Sequence, residues 1–180
     1  GIRGGSATVH FPIWHQEIQD ILVLKNNKGT EDNRVRKLDY SIQISKLFYE
    51  RFIKDEEITL FSPHSVPNLF ESFGTPDFDE LYCRYELDES IPRTTIGAQE
   101  LIMDLLKERS ETGRIYIMNI DHCNEHSSFK DKVSMSNLCQ EITLPTEPIQ
   151  HIDAIDGEIA LCILSACLLY TSPSPRDKHR

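Results

Sequence analysis

GAQELIMDLLKERSETGRIYIMNI, residues 97–120, changes its period half-way along. From Gly97 to Glu111 the apolar residues recur at helical spacing, with Leu101, Ile102, Leu105 and Leu106 on one side and Lys107, Glu108 and Arg109 on the other, which predicts an amphipathic helix. Thr112-Gly113 ends it, glycine being the residue that most readily takes the left-handed turn after a helix. Arg114 to Ile120 then reads as a strand that runs into a polar loop, Asp121-His122-Cys123-Asn124-Glu125-His126. A helix that delivers the chain into a short apolar strand is the repeating unit of an α/β fold with parallel pairings, and in such folds functional residues gather at strand ends and loops.

The same alternation extends on both sides. The spacing predicts a helix over 13–24, a strand over 35–44, a helix over 45–54 with Ser45 as its cap, and a buried strand at Ile58 to Phe61 closed by Ser62-Pro63-His64. Short helices are expected near 66–73 and 77–85, and short strands at about 137–143 and 158–164. No internal repeat is present. The last stretch departs from the pattern: Thr171-Ser172-Pro173-Ser174-Pro175-Arg176-Asp177 contains two prolines that stop any regular element. Residues 167–180 resemble translated sequencing-adaptor read-through, with a disordered native tail as the alternative.

The charge balance, 19 Lys and Arg against 29 Asp and Glu, is strongly acidic and argues against a nucleic-acid polymer as partner, because such binding leans on clustered basic residues that displace counterions. A single nucleotide remains compatible. No apolar run approaches the roughly 20 residues of a membrane span, and the opening Gly1-Ile2-Arg3-Gly4-Gly5 has no signal-peptide core, so a cytoplasmic protein is expected. The five cysteines are dispersed with no CxxC, which suits reduced thiols rather than a disulfide framework or a four-cysteine zinc site. The abrupt glycine-rich start without Met reads as a chain cut from something longer.

Chemistry concentrates at Ser136-Asn137-Leu138-Cys139-Gln140-Glu141. If this run is a strand, its period of two puts Asn137, Cys139 and Glu141 on one face and Leu138, Gln140 and Ile142 on the other. A carboxylate beside a thiol disfavours the thiolate, so the trio is poorly arranged for an ordinary cysteine nucleophile. It suits a thiol that reacts as neutral S–H or as a sulfur radical, with the carboxylate accepting a proton and the amide orienting a second polar group. From spacing alone, a buried structural cysteine with polar neighbours is the commoner meaning of N-x-C-x-E. His122, Cys123 and His126 crowd one loop, but a zinc site usually draws a second pair of ligands from elsewhere, and no metal site is expected. Cys83 falls on one face of a short helix, and His10, His15, His64 and His151 show no pattern.

The run Ser136 to Ile142 resembles the active-site strand of the large, catalytic subunit of class I (aerobic) ribonucleotide reductases. Further segments carry the likeness in the same order: Gly1-Ile2-Arg3-Gly4-Gly5-Ser6-Ala7, Val23-Leu24-Lys25-Asn26-Asn27, Asn33-Arg34-Val35-Arg36, Leu60-Phe61-Ser62-Pro63-His64, Thr112-Gly113-Arg114-Ile115-Tyr116, Asp121-His122-Cys123-Asn124 and Gly157-Glu158-Ile159-Ala160-Leu161-Cys162. The resemblance covers roughly residues 1–166 and implies one partial catalytic domain, a fragment of that family's ten-stranded α/β barrel. It implies that Cys139 becomes a thiyl radical that takes the 3′ hydrogen of a ribonucleoside diphosphate, that Glu141 accepts the 3′-hydroxyl proton, and that Asn137 hydrogen-bonds the substrate. Leu138 and Gln140 would complete the substrate-binding run, and Cys162 would be one of two cysteines that reduce the substrate by forming a disulfide. Arg3, Gly4 and Gly5 match the loop that relays effector identity to the active site; without the family they would be an ordinary glycine turn, since neither GK[ST] nor GxGxxG is present.

The resemblance further implies a metal-containing small subunit as radical source, thioredoxin or glutaredoxin as reductant, a homodimer in the full-length protein, and ATP and deoxynucleotide effectors that bind regions largely absent here. No cofactor is expected on this segment. The chain alone is expected to be inactive, and a partial barrel with unpaired strand edges is expected to be poorly ordered in isolation. The alternatives are a non-catalytic nucleotide-binding remnant of the same barrel and a cobalamin-dependent reductase sharing its thiyl chemistry.

Overall fold

The computed structural model describes residues 5–30, 32, 34–147, 149, 151, 153, 155, 157 and 158. Its centre is a parallel three-stranded sheet of β1 (Thr8–Pro12), β2 (Asp39–Ile44) and β5 (Ile115–Asn119), with β2 in the middle. The register sets His10 opposite Ser41, Ser41 opposite Tyr116 and Gln43 opposite Met118. Parallel neighbours need long crossovers, and the connection from β2 to β5 consists of α2 (Lys46–Lys54), an antiparallel ribbon of β3 (Glu57–Phe61) and β4 (Arg93–Gly97), and α5 (Ala98–Thr112). Within the ribbon's loop lie a single 3-10 turn at Pro63–Ser65, α3 (Leu69–Ser72) and α4 (Phe78–Leu87). The structure is mixed α/β with a parallel sheet, and the described strands do not close a barrel.

Strand β2 has two chemical faces. Tyr40, Ile42 and Ile44 alternate with Ser41 and Gln43, and all five are buried. Ile42 and Ile44 belong to the apolar core, together with Trp14, Phe48, Phe61, Phe73, Phe78 and Tyr82. The aromatic rings in that core meet mostly edge to face or tilted, with Phe48 and Tyr82 centroids 5.3 Å apart and Phe73 and Phe78 4.5 Å apart. Ser41 and Gln43 face the other way, where an apolar layer would have left their amide and hydroxyl without partners.

The helix over 97–111 and the strand after it are both present, and Gly113 takes the left-handed conformation (φ 65°) that ends α5. The buried face of α5 is rotated from the one expected. Ala98, Leu101, Ile102, Leu105 and Glu108 are buried, while Leu106 is 42% exposed. Glu108 is accommodated because Asn26 Nδ2 donates to both of its carboxylate oxygens at 2.8 and 2.7 Å.

Other expectations shift for tertiary reasons. The helix over 13–24 shrinks to α1 (Ile18–Leu22), because the backbone of Trp14 and Gln16 pairs with Phe61 on β3 instead of coiling. Ser45 precedes α2 but makes no side-chain cap; Asp121 Oδ2, arriving from beyond β5, accepts from Lys46 N at 2.7 Å. The polar loop 121–126 is mostly helical, as α6 (Ile120–Glu125). β1 and β4 were not expected. The proposed strand over 158–164 lies outside the described residues apart from Glu158, which bridges Glu147, and the tail at 167–180 lies wholly outside them.

Candidate active site

The run that holds Cys139 is a hairpin loop, not a strand. Met135–Ser136 (β6) pairs with Thr143–Leu144 (β7), and residues between them form the connection. Asn137 N donates to Ile142 O at 3.2 Å, and Gln140 N donates back to Asn137 O at 3.1 Å, which makes 137–140 a β-turn. Asn137 Oδ1 accepts from Ile142 N at 3.0 Å and from Ser136 Oγ at 3.1 Å, so its side chain braces the loop from within. Gln140 has φ 61°, which an extended strand does not permit. The period-two face of Asn137, Cys139 and Glu141 is therefore corrected: the run turns at 137–140 and does not present them as successive positions of a strand.

Exposure is divided along the run in a different way. Cys139 and Glu141 are exposed, while Gln140 turns toward the sheet. Leu138, expected to share Gln140's face, is 39% exposed. The Nδ2 group of Asn137 has no acceptor among the described residues.

The polar face of the sheet holds this loop. Ser41 Oγ donates to Gln140 Oε1 at 2.5 Å, and Gln140 Nε2 donates to Ile117 O at 2.8 Å. Thr8 Oγ1 donates to Leu138 O at 2.5 Å. Ser136 N reaches His10 Nε2 at 3.4 Å, and burial, partly offset by the Ser136 backbone, holds the His10 imidazole below its ordinary value. All three sheet strands thus touch the hairpin. His10 carried no pattern in the sequence; the alternation Thr8-Val9-His10-Phe11 was the available signal for β1 and for which of its residues face inward.

Beside the hairpin lies a cavity of about 310 Å³ lined by Met118, Asn119, His122, Cys123, Gln140 and Thr143. The Cys123 thiol is pushed up by burial and by Asp121. The His122 and His126 rings lie 6.1 Å apart, and among the described residues no three His, Cys, Asp or Glu side chains converge on one point. A wider cleft of about 580 Å³ opens between Lys46, Asp79, Asp121 and Lys132, away from Cys139. Cys83 lies exposed on α4 with its Sγ 4.0 Å from Arg51 Nη2. Cys162, Arg3 and Gly4 lie outside the described residues, and Gly5 stands at their edge with open space around its Cα.

The family model for the ribonucleotide reductase barrel domain matches residues 1–178. The chain belongs to the ribonucleotide reductase family. It is 56% identical over 171 residues to the ribonucleoside-diphosphate reductase subunit alpha of Haemophilus influenzae, covering 92% of this chain and 23% of that protein. Over 154 residues it is 52% identical to ribonucleoside-diphosphate reductase 1 subunit alpha of Escherichia coli, covering 83% of this chain and 20% of the relative. The large subunit of Dictyostelium discoideum is 35% identical over 171 residues. This reductase-family chain therefore spans less than a quarter of the length of these relatives, and the segment it spans includes the Cys139 hairpin. No helix among the described residues is long and apolar enough to cross a membrane.

Proposed function

We propose that this chain is the part of a ribonucleoside-diphosphate reductase catalytic subunit that carries the hydrogen-abstracting thiol. The observation that supports this most directly is the exposed Cys139 at the tip of a hairpin whose other side is pinned to the sheet, with an amide donor and a carboxylate in the same loop that have no partner among the described residues. Such a thiol can meet a substrate while its backbone stays put, which is what abstraction at a defined carbon requires.

In this reading a thiyl radical at Cys139 takes the 3′ hydrogen of the ribose, Glu141 accepts the 3′-hydroxyl proton, and Asn137 Nδ2 orients a substrate oxygen. The 2′ hydroxyl leaves as water. Two electrons come from a pair of thiols, one of them Cys162, which close to a disulfide; the hydrogen then returns from Cys139 to the 3′ carbon. The radical originates in a metal-containing small subunit, and thioredoxin or glutaredoxin reopens the disulfide. The full-length protein is a homodimer regulated by ATP and deoxynucleotides, works in the cytoplasm and supplies DNA synthesis. Arg3, Gly4 and Gly5 relay effector identity. The 180-residue chain alone does not turn over.

Cys139→Ser in the full-length protein, assayed with its small subunit, tests the assignment. Turnover is expected to fall by at least about 10³-fold, equivalent to roughly 4 kcal/mol, with nucleotide affinity unchanged. Turnover that persists in the variant, or affinity lost together with turnover, overturns the radical role.

A further inference from the structure

A two-stranded hairpin with so little pairing is marginal by itself, so the place of its tip rests on the bonds that Leu138 and Gln140 make with the sheet and on what holds its base. Three successive residues tie that base to three different elements. Lys132 Nζ donates to the carbonyls of Phe70 and Glu71 on α3 at 3.3 and 2.7 Å. Val133, fully buried, gives its N–H to Asn124 Oδ1 at 2.8 Å and accepts at its carbonyl from Asn124 Nδ2 at 2.9 Å. Ser134 O accepts from Gln43 Nε2 on β2 at 2.6 Å. The Asn124 amide pairs with Val133 as a neighbouring strand would, and its Nδ2 also donates to Ile120 O at 2.9 Å, which locks the side chain to α6.

We infer that Asn124, seconded by Gln43, is a positioning residue for Cys139. This rests on the reading of Cys139 as the reacting thiol. Ser134 leads directly into β6 and the turn that bears Cys139, so releasing the base leaves that turn on its contacts with Thr8, Ser41 and Ile117 alone and lets the sulfur shift by a displacement on the order of 1 Å. A misplacement of about 1 Å costs on the order of 10²-fold in a reaction that depends on aligned atoms. Neither Asn124 nor Gln43 belongs to the turn that meets substrate, so their loss acts on the thiol's position.

The test uses the full-length reductase with its small subunit, and turnover is normalised to the folded fraction. Asn124→Ala is expected to lower kcat by about 10- to 100-fold with KM for the nucleoside diphosphate within about threefold of the parent. Asn124→Asp keeps the acceptor for Val133 N–H and loses the donor to Val133 O, so it is expected to fall between parent and alanine variant. Gln43→Met, similar in volume but without the donor, is expected to lower kcat by about 3- to 10-fold. If Asn124→Ala does not fold, Asn124→Asp and Gln43→Met decide: a kcat within about twofold of the parent in both overturns the inference. Loss of thermal stability with kcat unchanged in the folded protein also overturns it. Should the parent itself fail to reduce nucleotides, or its Cys139→Ser variant remain active, the reading of Cys139 fails instead.

Discussion

The aromatic core and the Cys139 hairpin are held by opposite means. In the core, Trp14, Phe48, Phe61, Phe73, Phe78 and Tyr82 are almost completely buried, and stability comes from apolar area removed from water. Trp14 Nε1 is buried there without a partner among the described residues, but Tyr82 and Arg51 are paired: Tyr82 Oη donates to Thr59 O at 2.7 Å and accepts from Thr59 N at 2.9 Å, and Arg51 meets Glu86 at 2.5 Å while lying 5.1 Å over the Tyr82 ring. The hairpin buries little apolar surface beyond Val133. It is placed by hydrogen bonds with Thr8, Ser41, Gln43, Ile117 and, at its base, Asn124. Burial is strong but has little directional preference; hydrogen bonds are individually weak but fix direction. For the thiol proposed to react, which is exposed, only the second means can set its direction.

Four measurements in the full-length protein would break or sharpen this contrast, with hydrogen exchange reporting each region separately. Tyr82→Ala is expected to lower the opening free energy of β3–β4 by about 3–5 kcal/mol and to leave the amides of 135–144 unchanged. Equal acceleration in both regions would show them to be one cooperative unit. Arg51→Ala strips the half-buried Glu86 of its cation and leaves it Thr59 Oγ1, at 2.6 Å, as partner; about 2 kcal/mol is expected at β3, again with a silent hairpin. Thr8→Val removes the bond to Leu138 O and should cost about 1 kcal/mol, seen as roughly fivefold faster exchange confined to the hairpin.

The smallest effect is a pH dependence at His10. Its folded-state value lies below the ordinary 6.5, chiefly through burial, so the unfolded chain binds the proton first as pH falls. The hairpin's attachment is therefore complete above about 6.5 and is lost as pH drops from there through the depressed value. His10→Phe should flatten that slope in hairpin exchange. A slope of the same size in the variant would assign it to another group.

Elements with strong local periodicity were legible without tertiary information: α2, α5 and β5 occur within a few residues of their expected bounds. Those that depended on partners were misread. Trp14 to Gln16 has helical spacing but is drawn into pairing with Phe61, and Ser45 has the chemistry of a cap whose place Asp121 takes. Glu108 looked like a solvent-facing charge because its partner, Asn26, is 82 residues away in the chain.

Of the candidate site, the residue types and the family were determined by the sequence alone. Ser136 to Glu141 marked the place, and the ordered motifs on either side named the relatives. Only the tertiary structure decided that the place is a turn. A period-two pattern cannot distinguish a strand from a hairpin tip, because the choice rests on contacts of Leu138 with Thr8, Gln140 with Ser41 and Val133 with Asn124, the first two made across 130 and 99 residues of chain. Local propensity carries no information about partners so distant, and that is why the family could be read from the residues around Cys139 but the thiol's exposure and its supports could not.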